Sequence, residues 1–282
     1  MRKAGIILSF IVLFSTNSFS KPLLVNYFQK DLRFELEIKL LELALKETID
    51  TDGEFSLRPI KEKVTQGRGL KFLEQGEIDV VFLPTSKKRE QRFLPIKIPL
   101  LRGILGYRVF LIHKDSINDF DEISTFEQLR KKYIAGFGTH WADRDILEDN
   151  NIRVMESPNY DNLFNMLELR RFDYFPRGIT EVWRELEEFG TKHPNLIVEK
   201  QIALYYPYSV YYFVNKSNVK LASRIERGLK VLLKNGSFKK LFLKYYAPYI
   251  KQANLENRNL FRIRNTVDPL NAPDTSWWLK EE

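Results

Sequence analysis

Short apolar runs alternate with amphipathic stretches along this chain, and the alternation repeats. Leu23-Leu24-Val25 reads as a buried strand. Asp31 is placed to cap a helix from about Leu32 to Lys46, on which Phe34, Ile38, Leu41 and Leu45 share one face. A turn at Asp52-Gly53 leads to a strand over Phe55 to Ile60. A short helix, about Leu70 to Gln75, stops at Gly76. Ile78 to Leu83 then forms an apolar strand broken only by Asp79. The order β-α-β-α-β predicts a parallel sheet with helices on its faces.

The pattern recurs from Tyr133. Ile134 to Phe137 is a strand, His140 to Glu148 a helix, and Arg153 to Met155 a strand. Tyr160 to Arg170 is a helix with Leu163, Phe164 and Leu167 on one face, and Phe172 to Phe175 a third strand, followed by a long helix to Phe189. The recurrence is architectural, with no repeated residues. Two strands are expected to join the halves, Gly106 to His113 entering the second unit and Ser209 to Val214 leaving it. Helices follow, Leu221 to Asn235 ended by Gly236, then Phe238 to Tyr246. The fold class is therefore α/β in two lobes, 21–109 with 211–282 and 110–210, and the two crossings make a hinge. The tail from Asn265, with the pair Trp277-Trp278, is expected to dock on the first lobe.

Composition adds an address. Arg2 and Lys3 precede an apolar run from Ala4 to Phe14, and Ser18 and Ser20 supply small side chains before a cleavage point. Residues 1–20 thus read as a secretory signal peptide cleaved near Ser20. No later segment is long and apolar enough to span a bilayer. Cysteine is absent. That removes a disulfide framework and a lipid-bearing cysteine. A periplasmic location and a monomer are the expectation. Of the residues, 44% are hydrophobic and 29% charged, as in a globular chain. The net charge of +8 falls to +6 without Arg2 and Lys3. Nucleic acid is one reason for such a charge, but export takes the chain away from it. Lysines and arginines dispersed on helices read as solvated faces, or as a field drawing in anions.

At this level the chain resembles the type II periplasmic solute-binding proteins, specifically the family-3 group containing amino-acid-binding components of ABC importers. The resemblance rests on "LEQGEIDVVFLPTSKKRE", with Gly76, Asp79, Thr85 or Ser86, and Arg89 in the family's order. It rests also on "LRKKYIAGFGTH", on "LELRRFDYF" with Asp173, and on "VNKSNVKLASRIERGLKVLLKNGSFKKLFLKYY". It implies a two-lobed clamp that shuts on a small solute and hands it to an inner-membrane permease. In the family, the arginine matching Arg89 holds a ligand carboxylate.

Open parallel sheets bind ligands beyond the carboxyl ends of their strands. The strand ends here carry Tyr27 and Phe28, then Thr85 and Ser86 with Arg89 a turn on, then Gly138, Thr139, His140 and Trp141, and finally Arg177. Arg89 offers a planar fork for a carboxylate or phosphate. Thr85 and Ser86 stand at a helix start, where anions are favoured, as do Thr139 and His140. Tyr27, Phe28 and Trp141 suit stacking on the solute or packing in the core. The family's acidic residue, which takes an ammonium group, is expected near Arg177 and Gly178. An arginine there points to an anionic solute without an α-ammonium. Glu181 lies a turn further on. No metal spacing or cofactor loop occurs, and His113, His140 and His193 are scattered. The expectation is a binding protein without cofactor. A sensory partner of a membrane receptor, or a dehydratase-like enzyme on the same fold, are the alternatives.

Overall fold

In a computed structural model the described residues are 21–31, 34–62, 64–139, 141 and 143–266. The leader, His140 and the tail with Trp277-Trp278 lie outside them.

Strand β1 (Leu23–Tyr27) pairs in parallel with β2 (Phe55–Pro59), with α1 (Glu35–Lys46) and the single turn α2 (Ile49–Asp52) between them. Helix α3 (Gln66–Gln75) is capped by Thr65 and ends on Gly76, whose φ of 75° suits glycine. Strand β3 (Val80–Pro84) starts two residues later than the apolar run suggests. The reason is Asp79, which fastens β1 to β3. Its carboxylate accepts the Asn26 N–H at 2.7 Å, and its own N–H donates to the Asn26 carbonyl at 2.9 Å. Gln29 adds a second fastening to both backbone groups of Phe82. Helix α4 (Lys87–Arg92) and strand β4 (Leu94–Ile96) complete this part.

Strand β5 (Tyr107–His113) opens the second lobe and is buried throughout. It is followed by α5 (Ile117–Asp121), α6 (Phe126–Lys132), β6 (Ala135–Gly138), α7 (Arg144–Asp149), β7 (Val154–Ser157), α8 (Tyr160–Glu168), β8 (Tyr174–Gly178) and α9 (Val182–Phe189). The helix expected from His140 begins only at Arg144. Asp173 repeats the device of Asp79: it accepts from the Ile134 N–H at 2.7 Å and donates to the Ile134 carbonyl at 2.9 Å. An aspartate one residue before the third strand thus closes the sheet in both lobes.

Strands β9 (Leu196–Val198) and β10 (Ile202–Tyr205) both pair with β5, and β11 (Val210–Val214) returns to the first lobe between β3 and β4. Two long helices follow, α10 (Val219–Lys234) and α11 (Ser237–Ala253), and then β12 (Asn259–Arg262). The sequence pattern places everything after 211 with the first lobe. Strand β12 instead lies beside β10 at the edge of the second sheet, whose order is β12-β10-β5-β8-β6-β7. The chain therefore crosses between lobes three times. Arg258 anchors the third crossing, donating from its buried guanidinium to the carbonyls of Ala253, Glu199 and Ile202.

Packing explains the helix positions. On α1 the buried apolar residues are Leu36, Leu40, Leu41, Ala44 and Leu45, with Phe34 and Ile38 at the margin of the expected stripe. They meet Leu221, Ile225, Leu229 and Leu232 of α10. A side chain at Gly228 would collide with the Ala44 carbonyl, so the two helices approach as closely as glycine allows.

Candidate functional site

The carboxyl ends of β3, β8 and β10 meet the crossing segments. Arg108 of β5 stands opposite Gly178 of β8 and Leu204 of β10. The Thr85 N–H, just past β3, donates to the Ser209 carbonyl at 2.8 Å. The crossing segments touch each other where the Tyr206 N–H donates to the Gly106 carbonyl at 3.2 Å. No side chain fits at Gly106, since a Cβ there would overlap the Tyr206 carbonyl.

A buried ionic network occupies the second-lobe side. Arg108 pairs with Asp143 at 2.8 Å and with Glu181 at 3.4 Å. Arg177 pairs with Glu185 through two bonds, at 2.7 and 2.5 Å, and with Glu181 at 3.2 Å. Tyr206 donates to Asp143 at 2.7 Å, and Tyr160 donates to Glu185 at 2.6 Å. Aromatic faces fill the remaining space: the Arg177 guanidinium lies 4.6 Å from the Trp141 ring centre and 4.9 Å from that of Phe175, and Arg108 lies 5.4 Å from Tyr206. Burial works against charge on both arginines. For Arg108, Tyr206, Asp143 and Glu181 outweigh it, and for Arg177, Glu181 and Glu185 do, so both stay above their ordinary value. Burial also pushes the Glu181 carboxyl up, but Arg177 and Arg108 hold it below the usual carboxylate range. Two guanidiniums thus face three carboxylates. Glu181, 29% exposed, is the most open of the five.

The first-lobe side is different. Ser86 caps α4 by accepting the Arg89 N–H at 3.2 Å. Thr85 is 4% exposed, and its hydroxyl donates to Glu90 at 2.6 Å. The Arg89 side chain turns back to the Pro84 carbonyl. Among the described residues no carboxylate lies within ion-pair distance of it. Burial draws the Arg89 guanidinium down from its ordinary value, and Tyr208 opposes this. Tyr208, on the crossing segment, has Asp143, Arg108, Arg89 and Glu181 within electrostatic reach. It lies between Arg89 of the first lobe and the network of the second.

The residues expected from the sequence divide accordingly. Thr85, Ser86 and Arg89 gather beside Tyr208. Tyr27 is 7% exposed and belongs to the first-lobe core. Phe28 packs against Gly69 of α3 and a core cluster that includes Leu73 and Phe213. The Trp141 ring covers Gly138, where a Cβ would approach it to 2.5 Å, and stacks on Phe175 at 5.9 Å. Thr139 donates its N–H to Ser157 at 3.1 Å. His140 lies outside the described residues. Arg177 is buried and paired with Glu185 and Glu181, so its charge is offset by carboxylates of its own lobe. Arg108, Asp143, Glu185, Tyr160, Tyr206 and Tyr208 carry the network without having been singled out. One signal was available: Arg108 interrupts the apolar run "YRVFLIH", and a charge in a buried strand requires a buried partner.

Two cavities lie elsewhere. One of about 430 Å³ is lined by Glu74, Gly76, Asp79 and Asn215, at the opposite end of β3, and one of about 380 Å³ by Ile60, Arg68 and Phe72. Neither touches the network. Among the described residues no cluster of histidine and carboxylate side chains is arranged to hold a metal ion, and no helix is long and apolar enough to cross a membrane.

No family model matches the chain, and no curated protein matches it. Solved structures do. An ancestral arginine-binding protein bound to arginine superposes with a TM-score of 0.52 at 17% identity, covering 81% of this chain and 99% of its own. A histidine kinase sensor domain with similarity to periplasmic binding proteins gives 0.52 at 16%, covering 80% and 96%. The chain has the periplasmic-binding-protein fold. A structure from glutathione import via GshT and the cystine ABC importer TcyBC of Streptococcus mutans gives 0.54 at 14%, covering 80% and 95%. In this fold two α/β lobes face each other across a cleft. In this chain Arg89, Tyr208 and the Glu181 network lie beside the segments that cross from one lobe to the other.

Proposed function

We propose that this protein closes its two lobes on a small carboxylate-bearing solute, without chemical turnover, and delivers it to a membrane transporter. Arg89 carries the reading. It is the cleft arginine with no carboxylate partner among the described residues, while Arg108 and Arg177 are each held by two carboxylates. An underhydrated, uncompensated guanidinium at the mouth of the strands favours a bidentate anion. The ground for excluding an ammonium group falls with the neutralisation of Arg177. The network has one carboxylate more than it has guanidiniums, and the partly open Glu181 accommodates a cationic end on the same solute. Export of the chain through its leader belongs to the same proposal.

Isothermal titration against a panel of amino acids, dicarboxylates and aliphatic amines tests this. Carboxylate-bearing compounds should bind, and Arg89→Ala should abolish the heat while leaving thermal unfolding unchanged. Binding that survives Arg89→Ala overturns the assignment. The similarity to a sensor domain supports a second reading, in which the closed clamp is presented to a membrane receptor. Pull-down with permease or receptor ectodomains, with and without bound solute, separates the two.

A further inference from the structure

The positive charge of this chain is concentrated in one place. Between residues 215 and 253 there are ten lysines and arginines and a single acid, Glu226, so this stretch is +9 in a chain whose total is +8. Everything else sums to −1. The stretch is α10, the Asn235-Gly236 turn and α11.

Not all of this charge faces outward. Arg224 is buried and donates to the carbonyls of Asp52, Leu45 and Gly53. Arg227 is tied to Asp52 at 2.6 Å, and Lys230 to Glu226 at 2.6 Å. Lys220, Lys234, Lys239, Lys240, Lys244 and Lys251 are exposed. Helix α10 turns Leu221, Ile225, Leu229 and Leu232 inward, and α11 turns Phe238 and Phe242 inward, so the lysines stand on the outer side of the pair. Each helix runs about 25 Å. Beside the turn Val231 and Leu233 are 39% and 37% exposed, and Val219 is 60% exposed at the other end of α10.

From this we infer that the outer face of α10 and α11 docks on an anionic lipid surface. Spread lysines with a few exposed aliphatic side chains match a plane of diffuse negative charge. Lysine is depleted at protein–protein interfaces because ordering its long side chain is costly, so an acidic protein is the poorer match. The inference is independent of what the cleft holds.

Co-sedimentation of the full chain with vesicles of equal parts phosphatidylglycerol and phosphatidylcholine tests it, against vesicles of phosphatidylcholine alone. Binding is expected to the anionic vesicles only, and to be lost between about 0.1 M and about 1 M salt. A variant with Lys234, Lys240, Lys244 and Lys251 changed to Gln should bind at least about tenfold more weakly. A control variant with Lys114, Lys132, Lys192 and Lys200 changed to Gln, also exposed but in the second lobe, should bind as the wild type does. Circular dichroism confirms that both fold, and the salt series on the wild type stands if either does not. Equal loss in the two variants means that net charge alone acts, and overturns the inference. So does absence of vesicle binding, or a face variant that binds vesicles normally but loses an acidic protein partner.

Discussion

Glu37 offers the sharpest test of the energetics. It sits on α1, 4% exposed, with one carboxylate oxygen lacking a hydrogen-bond partner among the described residues. The titratable groups that feel it are hydroxyls, Tyr212 of β11 and Tyr246 of α11, and Tyr212 donates to the Glu37 backbone carbonyl and not to the carboxylate. Burial pushes the carboxyl up to about 7 from an ordinary 4.5. The folded chain therefore keeps a proton that the unfolded chain releases. Below pH 4.5 both states are protonated and Glu37 costs no ionisation energy. As pH rises to 7 the unfolded state gains by ionising first, and stability falls. The loss is complete above pH 7 and amounts to about 3 kcal/mol. Glu37→Gln cannot ionise. Urea unfolding at a series of pH values should find wild type and variant close at pH 4.5, with the variant about 3 kcal/mol more stable at pH 8. Glu37→Met, which also removes the polar atoms, should show the same divergence. Parallel profiles for wild type and both variants would refute the reasoning, because they would show that Glu37 ionises alike in both states.

Other outcomes follow from the packing. Arg177→Ala should destabilise the chain by about 3–5 kcal/mol by stranding Glu185 and Glu181, read as a lower urea midpoint; an unchanged midpoint with lost binding would restore Arg177 as a solute ligand. Gly106→Ala should cost about 1–3 kcal/mol in thermal unfolding through overlap with the Tyr206 carbonyl. Asp79→Ala and Asp173→Ala should each leave a backbone N–H of the neighbouring strand unpaired and cost about 1–3 kcal/mol, the first raising amide exchange at Asn26 and the second at Ile134.

Much of the architecture was legible in residue order. Strands buried on both faces must be nearly continuous apolar runs, and Val80 to Leu83 and Phe110 to Ile112 show it. Gly76 marks a helix end because few other residues take its φ. Strands β9, β10 and β12 were not legible, because each is only three or four residues long and the weak pattern in "LIV", "IALY" and "NLFR" gains its meaning from β5 and β10.

The site divides along the same line. From the chain alone, Arg89 stands a turn beyond a strand end, and nothing in the fold alters that. Arg177 looked equally available, because the sequence shows a charge but not its partners. Glu185 lies two helical turns on, and whether it reaches back to Arg177 or out to water depends on how α9 docks over β8. Arg108 and Asp143 are 35 residues apart and become a pair at 2.8 Å only when β5 and the loop before α7 are brought together. Local sequence therefore determined which groups are charged and which elements carry them. Tertiary packing decided which charges are spent on one another and which, like that of Arg89, are left without a carboxylate partner among the described residues, because in a low-dielectric interior a charge is set by its neighbours in space.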